Sequence, residues 1–307
     1  MKALVTGASG FVGKHLVAHL VASGDEVVQC DRSVNSDIHY LDITDAAAAV
    51  ALVTDVQPDV IYHLAGWADV GGSWKAPVEA FRVNAEGTLN VLSAATEVGV
   101  SRVVAVSSAD VYGAVAESEL PLTESSPLRP VSPYAASKVA ADYLGLQAWL
   151  GRGLPVLRVR AFNHLGPGQT DKFVAPALAS RIARNELDGS DVLTIGNLSA
   201  RRDFTDVRDV VRAYRLLAEK GDPGEVYNVC SGVDVAVQDL ADQLIAMARH
   251  PMHFETDPEL LRPVDVPVLR GDHSRLTAAT GWQPEIPLAQ TLADLLDDWR
   301  TQVATAS

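Results

Sequence analysis

The stretch Lys2-Ala3-Leu4-Val5-Thr6-Gly7-Ala8-Ser9-Gly10-Phe11-Val12-Gly13 decides the fold. Residues 2 to 6 read as a buried strand, the glycines as a loop, and an amphipathic helix is predicted from there through about Ser23. A strand that runs through a glycine loop into a helix makes an anion site. Glycine lets the backbone turn tightly and approach a pyrophosphate, while the free N–H groups and positive dipole end of the helix face the charge. The spacing is G-x-x-G-x-x-G rather than G-x-G-x-x-G, so the loop by itself also reads as a tight turn without a ligand. The next strand, Glu26 to Cys30, ends at Asp31, 18 residues after Gly13. A carboxylate there can accept hydrogen bonds from an adenosine ribose, and the combination points to a dinucleotide. Asp31 favours NAD over NADP because it repels a 2'-phosphate; the adjacent Arg32 partly offsets that repulsion and keeps NADP as the alternative. Gly7, Gly10, Phe11, Val12, Gly13, Asp31 and Arg32 form the first candidate cofactor-binding group.

Further strands are expected at Ile38 to Leu41, Val60 to Leu64, Val103 to Ser107, Val156 to Val159 and Val226 to Val229, mostly apolar and separated by helical patterns. Apolar strands alternating with helices imply an α/β fold with a doubly wound parallel sheet and right-handed crossovers, with ligands beyond the carboxyl ends of the strands. Asp42 and Ile43, Ala65 and Gly66, and Ser107 fall just after or at such ends. Asp42 can meet the adenine, and Ala65 and Gly66 let the backbone approach the cofactor, although each also reads as ordinary loop chemistry. His15 and His19 stand one helical turn apart, opposite Phe11, Val12, Leu16 and Leu20, and are expected in solvent rather than on a metal. No metal site is expected.

After Val159 the alternation breaks. Asn163 to Gly168 reads as a loop, a helix follows near Phe173 to Arg184, and the tail ends in a helix with Leu288, Leu292, Leu295, Leu296 and Trp299 on one stripe. The expected division is a dinucleotide-binding Rossmann domain, 1–165 with 206–235, and a smaller α/β substrate-binding domain, 166–205 with 236–307.

The chain has 307 residues, 48% of them hydrophobic and 21% charged, with no apolar run approaching the roughly 20 residues that span a bilayer. It begins with a strand pattern rather than an export signal, so a cytoplasmic protein is expected. A net charge of -14 argues against nucleic acid or an anionic membrane as partner, since both need a basic surface. An anionic ligand must then be met by locally placed arginines. Cys30 and Cys230 each end an apolar run and read as buried free thiols.

Ser132-Pro133-Tyr134-Ala135-Ala136-Ser137-Lys138 supplies the chemistry. On a helix Tyr134 and Lys138 share one face, and the cation is expected to favour loss of the phenolic proton. With the Gly7-to-Gly13 loop, Asp31 and Ser107-Ser108 before Val111-Tyr112-Gly113, this stretch resembles the extended short-chain dehydrogenase/reductases that act on nucleotide sugars. The resemblance covers essentially the whole chain. Residues 162 to 169 (FNHLGPGQ), 201 to 210 (RRDFTDVRDV) and 262 to 276 (RPVDVPVLRGDHSRL) narrow it to the GDP-mannose dehydratase and GDP-4-keto-6-deoxymannose reductase group, with the reductase branch the more similar.

The resemblance implies that Ser108 holds the substrate oxygen, Tyr134 exchanges the proton, and Lys138 grips the nicotinamide ribose and lowers the tyrosine pKa. It also implies that Asn163, Arg202 and Arg262 hold the diphosphate of a GDP-linked sugar, a task suited to guanidinium forks. Helices near 77–98 and 133–150 are expected to pair across a homodimer. Dehydratases of this family carry a glutamate two positions after the Ser/Thr; here Ala109 and Asp110 follow Ser108. Alanine transfers no proton and aspartate is a methylene shorter, so dehydration is disfavoured, with Asp110 retained as a candidate catalytic residue. The expected reaction is reduction of the 4-keto group of a GDP-6-deoxy-hexulose. The 4-epimerase and 4,6-dehydratase reactions are alternatives, and a noncatalytic dinucleotide-binding sensor is the remote one.

Overall fold

The structure, a computed structural model, describes residues 1–33, 37–196, 198–257 and 266–306. Its strands are β1 (Lys2–Thr6), β2 (Glu26–Asp31), β3 (Ile38–Tyr40), β4 (Val60–His63), β5 (Arg102–Ser108), β6 (Val156–Ala161), β7 (Asn163–Leu165), β8 (Val192–Ile195), β9 (Arg201–Asp206), β10 (Val226–Val229), β11 (Asp234–Ala236), β12 (His253–Thr256) and β13 (Val268–Leu269). The helices are α1 (Phe11–Ala22), α2 (Ala46–Val56), α3 (Val70–Ser73), α4 (Pro77–Phe81), α5 (Gly87–Val98), α6 (Pro133–Arg152), α7 (Val174–Asp188), α8 (Val207–Lys220), α9 (Val237–Ala246), α10 (Ser274–Thr280) and α11 (Leu288–Ala306). A π-helical turn, Arg82–Glu86, joins α4 to α5, and a 3-10 turn, Ala109–Tyr112, follows β5.

Seven strands form one parallel sheet in the order β10-β6-β5-β4-β1-β2-β3. Both faces are covered, which is why these strands are apolar runs rather than alternating patterns. One face packs Leu16, Leu20, Val210, Tyr214 and Leu217 of α1 and α8 against Val5, Val104 and Val159. The other packs Ala49, Val53, Val91 and Leu92 of α2 and α5 against Leu4, Ile61 and Val103. The strands run parallel, with β1 and β4 ending together at Thr6 and His63 beside Ala105, while β5 and β6 run three residues further and end together at Ser108 and Ala161. Their loops therefore open on one edge.

The remaining strands form two small sheets: β11, β9 and β13 with β7 joined to β9, and the pair β12-β8. Leu178, Ile182, Leu240, Leu292, Leu295, Leu296 and Trp299 of α7, α9 and α11 close a separate core beneath them. The stripe expected in the last helix is thus a core stripe.

Two local expectations are corrected. Asn163 to Leu165, expected as loop, pairs in parallel with Phe204 to Asp206; three residues carry too short a pattern to read, and the partner lies far along the chain. His15 and His19 are half-buried rather than in solvent. His15 packs edge-on against Phe11 with ring centroids 5.4 Å apart, and its Nε2 lies 2.8 Å from the Pro167 carbonyl. Among the described residues no cluster of three or more potential metal ligands occurs.

Candidate active site

A cleft of about 740 Å³ lies beyond the carboxyl ends of β1, β4, β5 and β6. The glycine loop with Phe11 and Val12, Asp31 and Arg32, Asp42 and Ile43, Ala65 and Gly66, Ser107, Ser108 and Asp110, Tyr134 and Lys138, and Asn163 and Arg202 all line it. Arg262 lies outside the described residues.

At one end the backbone is drawn in as far as it can go. Gly7 has φ +72°, and a Cβ there would stand 2.8 Å from the Ala65 nitrogen; a Cβ on Gly13 would stand 2.2 Å from the Gly7 carbonyl oxygen. Only glycine allows this approach. The helix that follows, α1, has no side-chain cap at its N-terminus, leaving its first N–H groups and positive dipole end for an anion. Asp31 braces the loop: one carboxylate oxygen accepts from Ser9 N at 3.1 Å, the other from Arg32 N at 2.7 Å and Ser33 N at 3.3 Å. A carboxylate offers about four acceptor sites, so capacity remains for a ribose hydroxyl. Asp42 turns one oxygen to its own loop, accepting from Thr44 N and Oγ1 at 2.9 and 2.7 Å. This end fits the pyrophosphate and ribose of a dinucleotide.

At the centre stand the β5 end and the first turns of α6. Ser132 caps α6 by accepting from Ala135 N at 3.1 Å, and Pro133 opens the helix, placing Tyr134 and Lys138 one turn apart with both buried. Ser107 Oγ donates to the Lys138 carbonyl at 3.2 Å, fixing strand to helix, and Ser108 Oγ accepts from Asp110 N at 3.2 Å. The ammonium of Lys138 donates to the Val106 carbonyl at 3.2 Å.

The electrostatics differ from the expectation that Lys138 lowers the Tyr134 pKa. Burial pushes the phenol above its ordinary value, the Asp110 carboxylate adds to that, and only a hydrogen bond with Ser108 opposes it. Burial also pulls Lys138 down to about 8. In the protein alone, burial therefore favours the protonated form of Tyr134, suited to acting as a proton donor rather than as a base.

Beneath α6 lies a buried ionic network. Arg158 and Arg160, two apart on one face of β6, both reach Asp142, which follows Lys138 by one helical turn; the contacts are 2.8 Å from Arg158 Nη1 and 2.9 Å from Arg160 Nε. Arg160 Nη1 also donates to Tyr112 Oη at 3.1 Å, and Tyr112 donates to Asn228 Oδ1 at 2.6 Å. One guanidinium thus joins the turn after Ser108 to the helix carrying Tyr134.

The far wall comes from β7, β9 and the start of α7. Asn163 and Arg202 face the cleft, and Arg202 Nη1 donates to the Arg201 carbonyl at 2.9 Å. Its neighbour Asp203 is buried and accepts from Ser231 N and Oγ, Gly232 N and Gly271 N. Lys172, Gln169 and Phe173 also line this wall.

Several of these residues escaped sequence reading. Lys172 is a lone cation in a polar stretch with no motif around it. Ser73 accepts from Tyr134 N at 3.1 Å. Asn84, in the π-helical turn, donates to Ser137 Oγ at 2.8 Å and accepts from Trp67 N at 2.8 Å. Its only signal was a polar residue at a position where a helix stripe is buried.

A Rossmann sheet with a glycine-loop dinucleotide site and a Ser-Tyr-Lys centre defines a short-chain dehydrogenase/reductase. Within that class the chain belongs to the family described as GDP-mannose 4,6 dehydratase, whose sequence profile matches residues 4–295. It is 40% identical to GDP-6-deoxy-D-mannose reductase of Pseudomonas aeruginosa over 97% of both chains. It is 32% identical to UDP-glucose 4-epimerase of Mycolicibacterium smegmatis over 98% of this chain and 99% of that one. The structure of RMD from Pseudomonas aeruginosa complexed with NADPH superposes with a TM-score of 0.87 at 38% identity, covering 98% of this chain and 100% of that chain.

Proposed function

We propose that the protein reduces the 4-keto group of a GDP-linked 6-deoxy-hexulose, GDP-4-dehydro-6-deoxy-D-mannose being the type substrate, with NADH or NADPH as reductant. The observation that carries the reading is the buried Tyr134 phenol lining the same cleft as Ser108, Asp110 and Lys138, with burial and Asp110 raising its pKa. When bound, the reduced dinucleotide supplies hydride to the carbonyl carbon. Ser108 Oγ holds the carbonyl oxygen, and Tyr134 gives its proton to that oxygen as negative charge develops there. Lys138 holds the nicotinamide ribose from the turn below.

Ala109 is buried and carries no acid group, and Asp110 is half-buried and short; the set lacks the extra acid and base that expulsion of a 6-hydroxyl requires. The Pseudomonas reductase supports the same reading by its identity over the full chain. Asn163, Arg202, Arg262 and Lys172 meet the diphosphate between the dinucleotide part, 1–165 with 206–235, and the substrate part, 166–205 with 236–307. Asp31 favours NADH; Arg32 at the same lip and the NADPH of the Pseudomonas structure favour NADPH, and the assay runs both.

Purified protein, GDP-4-keto-6-deoxymannose and either reductant should consume the reduced-nicotinamide absorbance. No consumption with either would sink the reading. Interconversion of nucleotide sugars without net oxidation of the dinucleotide would mark the epimerase instead.

The same proposal takes the protein as a cytoplasmic homodimer. Val78 and Leu150 are 79% and 73% exposed, and Phe81, Leu89, Tyr143 and Leu144 line an apolar groove between α4, α5 and α6. No helix among the described residues is long and apolar enough to cross a membrane. Sedimentation as a monomer at micromolar concentration would remove the dimer.

A further inference from the structure

β4 ends at His63, a buried imidazole to which the proposed chemistry assigns no role. Its Nδ1 lies 2.9 Å from Thr6 Oγ1 and its Nε2 lies 3.0 Å from Thr88 Oγ1. What stands beyond each threonine decides which atom donates. Thr88 Oγ1 is 2.6 Å from the Asn84 carbonyl oxygen. A carbonyl only accepts, so the single hydroxyl proton of Thr88 points there, and Nε2–H must donate to Thr88. Burial and the nearby charge of Lys138 press the imidazole pKa down to about 3, so the ring carries one proton and Nδ1 is a bare acceptor. Thr6 then donates to Nδ1, and Thr6 Oγ1 accepts from the Ala65 backbone N–H at 3.1 Å.

The result is one unbroken run of donors from Ala65 N–H through Thr6, His63 and Thr88 to the Asn84 carbonyl, with Thr6, His63, Thr88 and Asn84 all buried. Both ends touch the site. Ala65 and Gly66 line the dinucleotide end of the cleft. Asn84 donates to Ser137 Oγ at 2.8 Å, and Ser137 Oγ donates to the Tyr134 carbonyl at 2.7 Å. A threonine bond to the carbonyl four residues back tends to bend a helix, in keeping with the irregular turn in which Asn84 sits.

We infer that His63, as the neutral Nε2–H tautomer, is a positioning residue: it locks the Ala65–Gly66 turn to the Asn84 turn and, through Asn84 and Ser137, to the first turn of α6 that carries Tyr134. It touches neither substrate nor dinucleotide. An imidazole offers an acceptor and a donor on opposite edges of one rigid ring. Phenylalanine fills the volume and supplies neither, while glutamine can retain the donor toward Thr88 and loses the acceptor toward Thr6.

The inference rests on the reductase reading for its kinetic test and stands apart from it in its spectroscopic one. Nitrogen NMR of wild-type protein labelled in its histidine rings, with His63 identified by the signals missing from the His63→Gln spectrum, should give the Nε2–H tautomer at neutral pH; an Nδ1–H tautomer or an imidazolium overturns the inference. Misplacing a catalytic turn costs on the order of 10- to 100-fold in rate, so His63→Phe should lower kcat by that factor with KM for the nucleotide sugar unchanged. His63→Gln should recover part of the loss. A His63→Phe enzyme that folds, by circular dichroism, and keeps the wild-type kcat refutes the positioning role. Should that variant not fold, the wild-type spectrum still decides. Wild-type protein that turns over no nucleotide sugar defeats the reductase reading and leaves the tautomer measurement untouched.

Discussion

The half of the cleft built on β1, β4, β5 and α6 and the half built on β7, β9 and the start of α7 hold their functional groups by different means. In the first, the groups are backbone N–H atoms or side chains that are buried, such as Tyr134 and Lys138, or half-buried, such as Ser108, on a frame fixed by close contacts: Gly13 against Gly7, Ser107 to Lys138, Asp142 to Arg158 and Arg160. In the second they are half-buried or exposed side chains: Asn163 and Arg202, carried by strands that meet only after the chain has folded, and Lys172 in the turn before α7. The difference teaches a division of labour. Proton and hydride transfer need sub-ångström placement, which buried and fully bonded groups supply; gripping a flexible diphosphate needs charge at the end of a mobile side chain. Substitutions in the first half should therefore change kcat or dinucleotide affinity, and those in the second should change KM for the sugar nucleotide.

The largest test of that contrast is Tyr134→Phe. Removing a general acid costs roughly 10²- to 10⁴-fold in turnover, and the variant should still bind the dinucleotide as wild type does by calorimetry. Retention of most activity would refute the proton role. Next is Gly13→Ala, whose new methyl must stand within 2.2 Å of the Gly7 carbonyl oxygen unless the loop moves. A close overpacking of this kind costs about 1–3 kcal/mol, and the loss should appear as weaker dinucleotide binding; unchanged affinity would mean that the loop is not the pyrophosphate cradle.

Arg202→Ala probes the other half. A charge-assisted hydrogen bond contributes about 1.5–3 kcal/mol, so KM for the nucleotide sugar should rise about 10- to 100-fold with kcat nearly constant. A fall in kcat at unchanged KM would erase the contrast between the halves. The smallest effect is on pH. Burial lowers Lys138 to about 8, which means its ammonium is present below that pH and is lost as pH rises through it. Because the ammonium is the form that donates to a ribose oxygen, dinucleotide affinity should be flat below neutrality and fall above pH about 8, by at most about tenfold per unit for a single linked proton. Lys138→Met should flatten the profile, and an unaltered profile in that variant would assign the titration elsewhere.

Particular residues indicate how far the linear chain could be read. The Gly7-to-Gly13 loop, Asp31, Ser107-Ser108 and Tyr134 with Lys138 were legible because their chemistry is local: a tight turn, a strand end, one turn of helix. All seven strands of the large sheet start and stop within two residues of where apolar runs placed them, and β1 and β10 coincide with theirs. By contrast β7 was invisible, since three residues gain strand geometry only from pairing with Phe204 to Asp206. Asn84 and His63 were equally hidden, because a buried polar side chain is stabilised by partners that periodicity does not reveal. The direction of the Tyr134 pKa also could not be read from its spacing to Lys138. It depends on how deeply the phenol is buried and on Asp110, a residue from a different element.

What the amino-acid sequence determined by itself was the order of strands and helices, the dinucleotide-type loop and the candidate reacting side chains, since each follows from covalent neighbours and short-range backbone geometry. Only the tertiary structure decided that burial favours the protonated form of Tyr134, that Arg160 and His63 tie separate elements of the site together, and that Arg202 faces the cleft while Asp203 turns away. Those properties come from burial and from hydrogen bonds between distant segments, which exist only once the carboxyl ends of β1, β4, β5 and β6 have been brought side by side.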